Sequence, residues 1–278
     1  MMAFPKNSIH IERWRLQELV AIIDSIEDDL EAAIQRRHIV TGHDYCNLVL
    51  RSAGKAVVSM REIICLVLCG YPDGALAIAR NLFEQLIILE FFAEKKHDKE
   101  FDDLVQDYYL DYDIQRYKAL IYEYKHCVQD SETAEENQKQ LQTTKERTHS
   151  KAKGTYWWAG HSSFSKLVDS VIAAQKERGT ERLLHRLHLH YRRACVALHA
   201  SCIGNTLRLG KDPEFAGIDT SPTEEGHGLV LWFATLSFGF IIGSVFSVLE
   251  SENNSYVKEL IELAEYYDDR EWGGMANQ

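Results

Sequence analysis

Four polar side chains form a stripe on an otherwise apolar helical segment. At positions i, i+1, i+4 and i+5 of that segment stand Arg80, Asn81, Glu84 and Gln85. Arg80 and Glu84 are one turn apart and can form an ion pair. Burying an ion pair rarely stabilises a fold more than an apolar pair would. The pair therefore indicates either a binding function or a buried ion pair that orients neighbouring helices.

A second set of polar residues lies late in the chain. It consists of Tyr191, Arg192, Arg193, His199 and Ser201. Arg192 lies seven residues before His199, so a helix would place both side chains on nearly the same face. Because His199 stands among apolar residues, its imidazole needs a hydrogen-bond partner. It is interpreted either as a core histidine with such a partner or as a catalytic group.

Three short segments carry a resemblance to a known family. They read GYPDGALAIARNLFE, YWWAGHSSFSKL and YRRACVALHAS. The region from about Asp44 to Leu209 resembles a helical bacterial family catalogued as domain of unknown function 5677. That resemblance implies no established activity. By position it selects Arg80, Glu84, Tyr191, His199 and Ser201.

The late segment is also similar to the HEPN group of helical ribonucleases. In that group an arginine is followed, after four to six residues, by a histidine, usually across a dimer interface. Arg192 and Arg193 both have this spacing to His199. The similarity implies a metal-independent RNA endonuclease, such as a toxin or defence effector, that works as a homodimer. His199 would then be the general acid or base, and an arginine would stabilise charge on the phosphate.

A basic stretch precedes this histidine in an acidic chain. The chain has a net charge of -11, whereas the stretch from Lys176 to Arg193 has six Lys or Arg, two Glu and three His. The overall charge argues against a protein that coats nucleic acid or anionic lipid with its whole surface. The stretch itself predicts local contact with an RNA backbone. The alternative is an ordinary solvated helix face.

Metal ligands are suggested at two places by the spacing ExxH. The pairs are Glu94 with His97 and Glu123 with His126. Both lie in polar surroundings, whereas carboxylate-bridged metal sites in helical bundles project inward from apolar helices. We therefore predict no metal and no other cofactor.

The elements that must position these residues are helices. Hydrophobic residues make up 45% of the chain and charged residues 26%, with 16 Gly and only 4 Pro. Long helical periodicities run between the few breaks. We predict an all-α protein, a single domain over 1–278 built as a bundle of seven or eight helices. The helix at about 74–96 and the long apolar helix at about 224–250 would be central, and the polar segment 129–153 would be a solvated helix or a mobile linker.

Residues 228–249 contain no charged side chain and include Gly239 and Gly243 in GxxxG spacing. Glutamates rather than Lys or Arg flank this run, which favours a buried core helix over a membrane span. Membrane association through 228–249 stays as an alternative. Six scattered cysteines and a start without a secretory signal predict a cytoplasmic protein.

Two classes of function are consistent with these patterns. The first is the RNA endonuclease built around His199 and its arginines. The second is a non-catalytic module in which the Arg80/Glu84 stripe and the tyrosine-rich segment 98–126 form a pocket for a small ligand or a partner. We expect a homo-oligomer if the protein is the RNA endonuclease.

Overall fold

The computed structural model describes residues 13–37, 44–150, 153–198, 226–249 and 255–272. Within these ranges there are nine α-helices and no β-strand, which confirms the all-α bundle. The helices are α1 (Arg13–Arg37), α2 (Tyr45–Leu68), α3 (Pro72–Lys95), α4 (Phe101–Glu123), α5 (Ser131–Glu146), α6 (Phe164–Ala174), α7 (Glu181–Leu198), α8 (His227–Val248) and α9 (Ser255–Trp272). A π-helical segment (Tyr124–Val128) and two short 3-10 turns (Trp157–Ala159, Gln175–Arg178) lie between them.

The chain forms two compact units. The first comprises Met1–Ile39, Val49–Glu90 and Gln175–Gln278. The second comprises Val40–Leu48 and Phe91–Ala174. The single-domain assignment stays a prediction.

Helix α3 begins where the sequence indicates a break. Gly70 has a positive φ of 78°, and Pro72 opens the helix because its fixed φ suits a first turn. Ala75, Ala79 and Leu82 are fully buried along one face of α3, so this helix contributes to the core of the first unit.

Helix α8 is the most apolar of the described helices. It has 22 residues, a mean hydropathy of 2.1 and 78% of its most apolar stretch buried within the chain, so length and composition alone would also permit a membrane span. Its GxxxG notch packs against α9 of the same chain. A Cβ on Gly239 or Gly243 would stand 3.4 Å from Leu260 Cβ or Val257 Cγ2, respectively. The small residues thus allow close packing of α9.

In the second unit, α4 packs along α5. The polar segment 129–153 contains α5, whose N-terminus is capped by Asp130 through a hydrogen bond from the Thr133 backbone N–H, 3.1 Å long. The Thr133 hydroxyl and this N–H lower the pKa of Asp130. With α5, the described ranges contain nine α-helices, where seven or eight were predicted. A mostly solvated helix has too few apolar residues to show a clear periodicity.

Candidate functional site

Three of the predicted site residues meet in the first unit. Arg80 and Glu84 lie on α3, and Tyr191 lies on α7. The Arg80 Nε and Nη2 donate to Glu84 Oε1 at 3.2 and 3.1 Å. The Tyr191 hydroxyl donates to the same oxygen at 2.9 Å. One carboxylate oxygen therefore fixes both a guanidinium and a phenol.

Aromatic packing sets the position of Tyr191. Its ring lies 5.4 Å from that of Phe83, which also contacts Phe233 of α8 at 5.8 Å. His188 stacks on Phe83 with centroids 6.3 Å apart. The Arg80 guanidinium lies 5.4 Å from the centre of the Tyr191 ring, a cation–π contact. Helices α3, α7 and α8 together hold the cluster in one geometry.

The electrostatics keep Tyr191 protonated and Arg80 charged. Burial and the neighbouring Glu84 carboxylate raise the pKa of Tyr191 well above its ordinary value of 10.0. Burial alone would lower the pKa of Arg80, but nearby Cys195, Tyr191 and Glu84 outweigh it and raise that pKa. The phenol therefore stays a hydrogen-bond donor throughout the physiological pH range.

The cluster is only partly buried. The side chains of Arg80 and Glu84 are 29% and 25% exposed. Within the described residues, every hydrogen bond of Glu84 goes to Oε1, and Arg80 donates only through Nε and Nη2. Neither Arg80 Nη1 nor Glu84 Oε2 is a buried atom without a hydrogen-bond partner. Arg80 Nη1 and Glu84 Oε2 therefore take no part in the hydrogen bonds of this cluster, and both side chains are partly exposed.

The other predicted site residues are placed differently. Arg192 and Arg193 are exposed near the end of α7. His199 and Ser201 lie outside the described residues, so the pairing of His199 with either arginine stays a prediction. Among the described residues, no group of three or more His, Cys, Asp or Glu is arranged to hold a metal ion.

One buried ionisable group was missed in the sequence. His190 is 3% exposed, and burial together with the charges of Arg193 and Arg186 lowers its pKa to about 4. Its ring packs edge-on against Trp232 with centroids 5.0 Å apart, and Nδ1 has no partner among the described residues. The sequence periodicity does indicate this burial, because His190 follows Leu187 by three residues and Leu187 is itself buried.

A second polar cluster, in the second unit, was also missed. Asp107 on α4 is 2% exposed and accepts hydrogen bonds from the backbone N–H groups of His149 (2.8 Å) and Ser150 (2.6 Å). His149 Nδ1 lies 3.2 Å from the same carboxylate. One turn further along α4, Asp111 accepts from the Trp157 indole at 2.6 Å. This aspartate cluster holds the loop between α5 and α6.

The fold and the site define an all-α helical-bundle protein with a half-buried Arg–Glu–Tyr cluster. The chain belongs to a family of unknown function, DUF5677, whose model matches residues 47–216. This match confirms the resemblance predicted from the sequence and covers all three residues of the cluster. No curated protein and no solved structure matches the chain.

Proposed function

We propose that the chain is a ligand-binding protein that recognises a nucleobase through Arg80 and Glu84. The observation that carries this proposal is the partly exposed Arg80–Glu84 pair, in which Arg80 Nη1 and Glu84 Oε2 take no part in the hydrogen bonds of the cluster. Nη1 is a donor and Oε2 is an acceptor, while Nε and Nη2 of the arginine are bonded to Oε1 of the glutamate. A planar group with an acceptor beside a donor would pair with both, and the edge of a nucleobase has this pattern.

The charge of the cluster favours a base over a free anion. The charges of Arg80 and Glu84 cancel, so an isolated phosphate would be attracted by one guanidinium and repelled by one carboxylate. A nucleobase is neutral and uses both groups. Tyr191 supports the arrangement, because its hydroxyl occupies Glu84 Oε1 and leaves Oε2 for the ligand.

Titration of the full chain with each of the four ribonucleosides, followed by calorimetry, tests this proposal. Arg80→Ala should weaken binding about tenfold or more, because it removes a charge-assisted hydrogen bond. Arg51→Ala is the matched control, since Arg51 is an exposed arginine on α2. Inorganic phosphate is titrated in parallel. The proposal is wrong if no nucleoside binds, if Arg80→Ala binds like the wild type, or if phosphate alone binds.

A second candidate function is metal-independent cleavage of RNA. It is favoured by the exposed face of α7, where Arg182, Arg192 and Arg193 are all accessible to solvent. These cations lie on the helix that carries Tyr191, and the described part of this helix ends one residue before His199. His199 would transfer protons while the arginines contact phosphate.

Incubation of the protein with total RNA and tRNA, with and without chelator, tests the second candidate. Cleavage that survives chelation and disappears in His199→Ala, with folding retained, is the expected result. Cleavage that requires a metal would contradict this mechanism. If nucleosides bind but RNA is not cleaved, ligand binding is the only one of the two candidate functions that is supported.

A further inference from the structure

Helices α1 and α2 form an apolar groove on the surface of the first unit. Its volume is about 340 Å³, and its lining extends over about 12 Å of α1. Leu16 and Ile64 are almost fully buried at its floor, whereas Val20 and Leu68 are 37% and 39% exposed. The described residues that line it are mostly apolar: Leu16, Gln17, Val20, Ala21, Asp24, Ile64 and Leu68. We call it the α1/α2 groove.

The size and lining of the groove are typical of a small-molecule site. Pockets for small ligands have volumes of about 300 to 1,000 Å³ and combine mostly apolar walls with a few polar groups. The polar groups here are Gln17 and Asp24, both exposed on α1. Gln17, Ala21 and Asp24 follow one another at steps of four and three residues, so they share one face of the helix. A ligand with an apolar body would lie along this face with a polar end at one of the two polar side chains.

The end of the groove at Asp24 is negatively charged. Arg61 Nη2 on α2 donates to Asp24 Oδ1 at 2.8 Å and also to Glu27 Oε2. One guanidinium is thus shared by two carboxylates, and the trio has a net charge of minus one. The side chains of Asp24 and Glu27 are 57% and 40% exposed, so a ligand in the groove can reach them.

The wider surroundings of the groove are acidic as well. Segments 13–28 of α1 and 60–68 of α2 contain five acidic and three basic residues. One of the basic residues, Arg15, is bonded to Glu18 and lies over the ring of Tyr266 on α9. The groove therefore attracts a cation and repels an anion.

We propose that the α1/α2 groove binds an amphiphilic amine, with its apolar body between Val20 and Leu68 and its ammonium group at Asp24. A primary ammonium group is charged at neutral pH and donates up to three hydrogen bonds, which an exposed carboxylate accepts. An anionic membrane surface is a poorer partner, because the same carboxylates would repel its lipid headgroups. This site lies on α1 and α2 and does not rest on the Arg80 cluster, which lies on α3 and α7.

Calorimetric titration of the full chain with octylammonium, 1-octanol and octanoate tests the proposal, because the three probes share a chain and differ in charge. Octylammonium should bind about fivefold more tightly than octanol, since an ion pair at an exposed carboxylate has modest strength. Octanoate should bind more weakly than octanol. Asp24→Asn should remove the advantage of octylammonium and leave octanol binding unchanged, which shows that the groove is intact.

Ala21→Phe should abolish the binding of octylammonium and octanol alike, because the added ring occupies the groove. Ala21 is exposed, so urea denaturation should show that this variant stays folded.

Asp102→Asn is the matched control, since it removes an exposed carboxylate from α4 in the second unit. It should bind all three probes like the wild type. The proposal is overturned if the wild type binds none of the probes, if octanoate binds as tightly as octylammonium, or if Ala21→Phe binds like the wild type. It is also overturned if Asp24→Asn and Asp102→Asn behave alike. Binding to phosphatidylcholine vesicles that Ala21→Phe abolishes, without binding of the soluble probes, would assign the groove to a membrane surface instead.

Discussion

The Asp107 and Glu84 clusters use a carboxylate in opposite ways. Asp107 is almost fully buried and receives two backbone N–H groups from the loop that it holds. Glu84 is a quarter exposed and receives only side-chain donors, all on one oxygen. A saturated carboxylate stabilises a fold, whereas a partly exposed one with an accessible oxygen can also bind a ligand.

The largest expected effect is on stability at Asp107. Asp107→Ala removes two charge-assisted hydrogen bonds to backbone N–H groups and should lower the free energy of unfolding by about 4 kcal/mol. Urea denaturation measures this change, with Asp102→Ala as an exposed control on the same helix. A loss no larger than that of the control would contradict the structural role of Asp107.

His190 sharpens the comparison, because it is as buried as Asp107 but its Nδ1 has no described partner. Its pKa in the folded protein, about 4, is below the ordinary value of 6.5, so the unfolded chain takes up the proton first. The contribution of His190 to the free energy of unfolding is fully present above pH 6.5 and is lost as the pH falls toward 4. The whole loss is on the order of 3 kcal/mol. His190→Phe keeps a ring against Trp232 and should remove this part of the pH dependence. If the wild type and His190→Phe show the same pH dependence of the free energy of unfolding in urea denaturation, His190 is not the source of this pH dependence.

A smaller effect is expected at Tyr191. Tyr191→Phe removes one hydrogen bond to Glu84 and keeps the packing on Phe83, so the free energy of unfolding should fall by about 1 kcal/mol. A double-mutant cycle with Glu84→Gln should show coupling between the two residues. Independent, additive effects would mean that the 2.9 Å hydrogen bond does not form in solution.

Much of the fold and part of the site could be predicted from the sequence. Pro72 and the preceding Gly70 mark the start of α3, and the spacing of Arg80 and Glu84 predicts their ion pair. Tyr191 was selected both from the late set of polar residues and by the family resemblance, but no local pattern shows that α7 packs beside α3.

The rest depends on contacts that local patterns do not show. Asp107 binds backbone N–H groups 42 and 43 residues away, and backbone donors have no signature in the residue types. The spacing of Gly239 and Gly243 suits helix packing in a bilayer and within a folded chain alike, and the sequence does not show that these glycines face α9.

Nitrogen-15 NMR of the arginine side chains during a ribonucleoside titration tests the central claim most directly. The guanidinium signals of Arg80 should shift with added nucleoside, because Nη1 gains a hydrogen-bond acceptor. The indole N–H of Trp157, which donates to Asp111 in the second unit, serves as the internal reference and should not move. Unchanged Arg80 signals at saturating nucleoside would contradict the account.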